Sequence, residues 1–263
     1  MTTALNEHYG ETMLVMLQAI WGRGFLSPGG AEEIGRLIGD ADLTGASVLD
    51  IGSGAGGAAM TLIRQHGAGY VTGMDVEDTV ITHARALTAK EGLMGQIGFV
   101  KAAPGPLPFG PQSFDVVFSK DSLVHIPDKG PLMAEVFRVL KPGGRFIASD
   151  WLIGHDGAPS PAMATYIAAE NLDFGMTSPA GFAKAMADAG FMAISTTSRN
   201  AWYCQVAISE LARMQGEVGR MAAREVGQDF VDHNIKIWTL MIPVLQSGEH
   251  CPTHLHATRP MTE

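Results

Sequence analysis

The chain has 263 residues, with 18 Lys and Arg against 27 Asp and Glu, a formal charge of −9, 46% hydrophobic and 17% charged residues. That balance excludes a largely disordered chain and argues against a nucleic-acid binder that tracks phosphates, because counterion release needs clustered cations. Two cysteines, Cys204 and Cys251, exclude a disulfide framework and a four-thiolate metal site, and suit a reducing cytoplasm.

Met1 to Glu7 contains no basic leader. The apolar stretches Leu14 to Trp21 and Ile237 to Leu245 fall short of the roughly 20 residues a spanning helix needs, so a soluble, cytoplasmic protein is expected. Up to about Asp40 the chain reads as two helices, with Leu14, Leu17 and Trp21 on one stripe and a break at Gly22, Gly24 and Ser27-Pro28-Gly29-Gly30. From Val48 the pattern changes. Strands are expected at Val48 to Ile51, Tyr70 to Met74, Ile97 to Lys101, Phe114 to Ser119 and Arg145 to Ser149, with helices at Ala58 to Gln65, Val80 to Ala89 and Leu132 to Leu140. After an exit loop, Gly154 to Pro161, come short helices at Ala162 to Phe174 and Pro179 to Ala189, a strand at Ala193 to Thr197, a long helix from Tyr203 to about Arg224, and a last helix and strand. Strands alternating with helices imply an α/β fold with a mostly parallel sheet covered on both faces. The division expected is a single domain: an N-terminal helical lid over 1–45, a core over 46–153, a helical insertion or substrate cap over 154–190, and the rest of the sheet over 191–263.

Asp50-Ile51-Gly52-Ser53-Gly54-Ala55-Gly56-Gly57 ends a strand and opens a helix. Glycines there permit positive φ and close approach of a ligand to backbone. Asp75 ends the next strand, where a carboxylate can accept both hydroxyls of a ribose. This much fits a dinucleotide enzyme equally, since Gly52, Gly54 and Gly57 satisfy G-x-G-x-x-G.

Two further stretches, Ser113 to Ser119 and Val139-Leu140-Lys141-Pro142-Gly143-Gly144-Arg145-Phe146, complete a set that resembles the class I S-adenosylmethionine-dependent methyltransferases over about Ser47 to Ser149. The resemblance implies a Rossmann-like, seven-stranded sheet with one antiparallel strand and a small-molecule substrate. It implies S-adenosyl-L-methionine as cofactor, held by Leu26, Ser27, Asp50, Gly52, Ser53, Gly54, Gly56, Asp75, Val76, Ala103 and Ser119. Ala103 departs from the pattern, because an acid that binds the adenine amino group often precedes the Leu107-Pro108-Phe109 element.

Methyl transfer to an amine requires the amine to lose a proton first, and imidazole is suited to that work near neutrality. Asp121 and His125 are four apart, so one helical turn would stack a carboxylate on an imidazole; alternatively Asp121 caps a helix and His125 packs under the lid. Tyr9, Trp21 to Gly30, and Ser119-Lys120-Asp121-x-x-x-His125 together resemble the phosphoethanolamine N-methyltransferases. That resemblance makes Tyr9 a latch, His125 the base and Asp121 its orienter. Substrate-side candidates are Tyr9, Trp151, Tyr166, Glu170 and Tyr203. Where that family holds phosphate with an arginine, this chain has Glu170, which repels phosphate and attracts an ammonium.

Gln246 to Ala257 resembles the end of the glycine, sarcosine and dimethylglycine N-methyltransferases and suggests a zwitterionic acceptor. His250, His254 and His256 lie on one face of an extended strand, a poor tetrahedral shell, so no metal is expected. The expected activity is N-methylation of a small amine or amino acid. The alternatives are S-methylation of a thioether such as methionine, phosphobase methylation, an adenosyl-binding module without catalysis, and an RNA or protein methyltransferase.

Overall fold

In the computed structural model, residues 10–102, 105–172 and 174–261 are described, apart from the side chains of residues 11 and 12. Tyr9 and Ala103 lie outside the described residues.

Seven strands form one sheet in the order β3-β2-β1-β4-β5-β7-β6. They are β1 (Ser47–Ile51), β2 (Tyr70–Asp75), β3 (Ile97–Lys101), β4 (Phe114–Lys120), β5 (Leu140–Ile153), β6 (Met192–Ser198) and β7 (His250–Thr258). The first five strands pair in parallel, and β7 runs antiparallel to both β5 and β6. Strand side chains alternate between faces, which divides the core in two. Leu49, Val117, Phe146 and Leu255 point to one face, where they meet Met133 and Val136 of α5 (Lys129–Val139) and Phe182 and Met186 of α7 (Pro179–Asp188). Val48, Val116, Phe118 and Ile147 point to the other, against α2 (Gly30–Ile38), α3 (Gly57–His66) and α4 (Asp78–Lys90). Burying a side chain of this size stabilises the fold by about 1.5–3 kcal/mol.

A third apolar cluster lies among helices rather than on the sheet. It joins α1 (Glu11–Trp21), α6 (Pro161–Glu170), α8 (Asn200–Gln215), α9 (Glu217–Val226) and α10 (Gln228–Gln246). Two expectations change here. The region expected as a cap splits, because α7 packs on α5 and β6 while only α6 joins the helical layer. The helix expected over Tyr203 to Arg224 is two helices divided at Gly216: beyond it the chain turns so tightly that a Cβ on Gly219 would lie 1.7 Å from the Met214 carbonyl oxygen. Strand β5 also begins five residues earlier than expected.

Candidate active site

From β1 the chain builds outward through β2 and β3, then returns to place β4 on the other side of β1. A crevice opens beyond the carboxyl ends of the strands at such a reversal. Here it is a cavity of about 840 Å³.

Its floor is the turn from β1 to α3. Gly52 and Ser53 donate backbone N–H bonds to the Met74 carbonyl at 2.8 and 3.0 Å, tying the turn to β2. Gly52 has φ +71°, and a Cβ there would fall 2.2 Å from Ser122 Oγ, so only glycine lets the turn pass under the segment after β4. Gly57 donates to the Gly24 carbonyl at 2.8 Å, a contact that leaves no room for a side chain on Gly57. This seats the loop after α1 on the glycine turn and brings Leu26 and Ser27 into the cavity wall.

Asp50, Gly52, Ser53, Gly54, Asp75 and Val76 also line the cavity. The Asp75 carboxylate accepts backbone N–H groups from Gly54 at 2.9 Å, Val76 at 2.8 Å and Glu77 at 3.2 Å. Burial nevertheless pushes its pKa up. Asp50 is more exceptional. It is buried, and neither carboxylate oxygen has a hydrogen-bond partner among the described residues. Burial, reinforced by the charge of Asp75, raises its pKa to about 7. A carboxylate without a partner in a cavity wall is costly to fold and matches a ligand that brings positive charge and N–H donors.

Two expected cofactor contacts face elsewhere. Ser119 is fully buried and its hydroxyl donates to the Ile51 carbonyl at 2.8 Å, bracing β4 on β1. Gly56, with φ +86°, is the N-cap of α3 and does not line the cavity.

Lys120, Asp121, Ser122 and His125 also line the cavity. The expected helical turn joining Asp121 to His125 is absent. β4 runs through Lys120, Asp121 takes a left-handed conformation at φ +58°, and a 3₁₀ turn covers Leu123–His125. The Asp121 carboxylate is therefore aimed back at the sheet, where it accepts from Lys120 Nζ at 2.5 Å, Ser149 Oγ at 2.9 Å and Tyr203 Oη at 3.2 Å. Burial and the Asp121 charge push the Tyr203 pKa up, so the phenol remains a donor. Lys120 Nζ also donates to Ser27 Oγ and the Pro28 carbonyl, both at 2.8 Å, and so ties the loop after α1 to β4. The His125 ring lies 5.6 Å from that of Phe174.

Trp151, Tyr166, Glu170 and Tyr203 do not line this cavity. Three of them form an aromatic group behind it with His250: Trp151 stacks on His250 at 4.9 Å, Tyr166 lies 5.1 Å from the same ring, and Trp151 meets Tyr203 edge-on. Burial holds His250 neutral, with a pKa of about 3. Burial likewise raises Glu170 to about 7, although a hydrogen bond from Tyr166 opposes this. Only Tyr203, through Asp121, reaches the cavity wall.

The other two C-terminal histidines brace the fold. His256 bonds the Leu37 carbonyl at 2.8 Å, and His254 bonds Glu33 at 2.8 Å. Glu33, fully buried in α2, also accepts two bonds from Arg199, at 2.8 and 2.6 Å. Burial alone would raise its pKa, but His254 and Arg199 hold it at about 2. Among the described residues no group of three His, Cys, Asp or Glu is placed to hold a metal ion, and no helix is long and apolar enough to cross a membrane.

Sequence reasoning gave no role to Lys120 or Glu135. Glu135 lines the cavity and accepts the Leu107 N–H at 2.8 Å, fixing the Leu107-Pro108 wall. Its place on the exposed side of a helical pattern carried no signal.

Residues 49–148 match the family model described as a methyltransferase domain, and this is the segment that builds the glycine turn, Asp75 and β4. Over this segment the chain carries a methyltransferase domain of the class I S-adenosylmethionine-dependent type. Among curated relatives, phosphoethanolamine N-methyltransferase 1 of Zea mays is 28% identical over 93% of this chain and 48% of its own length. The chain thus spans about half the length of the curated relatives it matches first. A solved phosphoethanolamine N-methyltransferase 2 of Haemonchus contortus, in complex with S-adenosyl-L-methionine, superposes with a TM-score of 0.88 at 24% identity, covering 97% of this chain and 59% of that one. A putative sarcosine dimethylglycine methyltransferase from Galdieria sulphuraria has a TM-score of 0.75 at 20% identity, covering 88% and 83%.

The cofactor of this family is S-adenosylmethionine. The cavity fits it: the unpartnered Asp50 suits the ammonium of its methionine part, and Asp75 suits its ribose.

Proposed function

We propose that this methyltransferase N-methylates a small acceptor bearing an amine, an amino acid or a simple amine. The carrying observation is that one cavity is lined both by the glycine turn, Asp50 and Asp75 and by Asp121 and His125. Bound S-adenosylmethionine would supply an electrophilic methyl group and depart as a neutral thioether.

The chain's own residues then have three tasks. Leu26 and the Leu107-Pro108 wall exclude water around the reacting groups. Asp121 puts fixed negative charge in the wall and draws in a cationic amine. Its three donors keep it from moving, which is the preorganisation that electrostatic stabilisation needs. His125 takes the proton that the ammonium must lose before nitrogen can attack. Tyr9 is retained as a latch over this end, on the resemblance to the phosphobase enzymes.

Charge supports an acceptor without phosphate. The cavity is lined by Asp50, Asp75, Glu77, Asp121, Asp128 and Glu135, whereas its one lysine among the described residues, Lys120, is already held by Ser27, Pro28 and Asp121. A phosphate dianion would meet repulsion there and no fork of guanidinium donors. Trp151, Tyr166, Glu170 and Tyr203 then shape the acceptor end from behind the wall.

The test is turnover of methyl-labelled S-adenosylmethionine with glycine, sarcosine, dimethylglycine, ethanolamine, phosphoethanolamine and methionine. Methylation of an unphosphorylated amine, with phosphoethanolamine poor, supports the reading. Preference for phosphoethanolamine or for the thioether of methionine overturns it.

A further inference from the structure

The turn that carries His125 is held from beneath by two charged side chains that are not part of the cavity wall. A 3₁₀ turn of three residues, Leu123–His125, has too few internal hydrogen bonds to fix its own geometry. Lys129, the first residue of α5, is buried, and its Nζ donates to the Leu123 carbonyl at 2.6 Å and to the Ile126 carbonyl. Asp150 of β5 is fully buried, and its Oδ1 accepts the Val124 N–H at 3.0 Å. From a third direction, Gly175 N–H donates to the Val124 carbonyl at 2.6 Å. The Ile126 carbonyl after His125 and the Val124 N–H before it are thus bonded to α5 and the sheet, while the Val124 carbonyl is bonded to the loop between α6 and α7.

Burying a lysine and an aspartate is expensive even when they attract one another. Their opposite charges act across the turn. Neither lines the cavity, and neither touches the glycine turn. What they share is the backbone of the segment from Leu123 to Ile126.

Resting on the reading of His125 as the proton acceptor, we propose that Lys129 and Asp150 are positioning residues for it: two buried side chains that clamp the backbone of the turn and hold the imidazole in the cavity wall. A shift of the turn by about 1 Å would separate base and amine and cost on the order of 10²-fold in rate. Proton transfer itself involves neither clamp residue.

The experiment uses the full chain with Lys129→Met, which keeps the stem and removes the donors, and Asp150→Asn, which keeps an oxygen for Val124 but removes the charge. In protein carrying ¹⁵N-labelled histidine, with His125→Ala used to assign the signal, the His125 ring resonance should shift in Lys129→Met with no ligand present. With whichever amine of the panel is turned over, kcat should fall on the order of 10²-fold while the Kd for S-adenosylhomocysteine is unchanged. Adding Lys129→Met to His125→Ala should cause no further loss, because one acts through the other.

The proposal is overturned by an unmoved His125 resonance in folded Lys129→Met protein, or by a further full loss in the His125→Ala background. If Lys129→Met does not fold, Lys129→Arg and Asp150→Asn decide by the same resonance. Unimpaired amine turnover in His125→Ala alone would sink the functional reading instead, and the resonance would still judge the clamp.

Discussion

Replacing Asp50 by asparagine should make the ligand-free protein more stable and its cofactor binding weaker. The native carboxyl has a pKa of about 7 against an ordinary 3.8, because burial and Asp75 disfavour its charge. Between these two values the folded state binds more protons than the unfolded state, so stability falls as pH rises through that window and stays low above it. About three pKa units at ~1.4 kcal/mol each amount to about 4 kcal/mol lost by pH 8. Asparagine has no charge to desolvate but leaves a buried amide costing about 1–3 kcal/mol, so a net gain of about 1–3 kcal/mol remains. For a chain of this size each kcal/mol raises Tm by about 2–4 °C. The same substitution removes a charge-assisted bond to the cofactor ammonium, worth about 1.5–3 kcal/mol, or roughly 10- to 100-fold in Kd. Thermal unfolding by circular dichroism at pH 8 and pH 4 measures the first effect, with the advantage vanishing at pH 4. Titration calorimetry with S-adenosylmethionine measures the second. A variant less stable than the parent at pH 8 would show that Asp50 is not a desolvated charge, and one with unchanged affinity that it is not a cofactor ligand.

Other outcomes follow from the same geometry. Glu33→Gln should lower stability at pH 7 by about 3 kcal/mol, the worth of holding a carboxyl at about 2 rather than 4.5. Because that stabilisation is lost as pH falls from about 4.5 to about 2, the gap between variant and parent should close over this range; a gap independent of pH contradicts the assignment. His125→Ala should reduce kcat for an amine acceptor by about 10²-fold or more with little change in cofactor Kd, measured by steady-state kinetics and calorimetry. Gly52→Val should abolish cofactor binding, since its side chain collides with Ser122 on a backbone that disfavours it; wild-type affinity in a titration would contradict the turn geometry.

The sheet was readable because its residues obey simple rules. Val48-Leu49-Asp50-Ile51 is a short apolar run ended by glycine, and the apolar runs from Tyr70 to Arg145 became strands, with β5 reaching further in both directions than expected. The glycine turn and Asp75 were readable because close backbone approach restricts residue choice. The link between Asp121 and His125 was not, since a spacing of four has meaning only on a helix, and the left-handed φ of Asp121 leaves no mark in composition. Glu170 illustrates a second limit. Its charge was legible, but its burial beside Tyr166, away from the cavity, depends on how α6 packs on α10. Lys129 at a helix start reads as a solvated charge, and only the fold carries its ammonium under the turn.

In the proposed enzyme one cavity joins a cofactor to a proton-accepting histidine beside an unphosphorylated amine. The most direct measurement of this is label transfer from methyl-labelled S-adenosylmethionine to the six-compound panel, run with the parent and with His125→Ala. The parent should yield a methylated glycine, sarcosine, dimethylglycine or ethanolamine, and the variant should show a severe loss. Label on phosphoethanolamine or methionine alone, or equal amine turnover by both proteins, would contradict it.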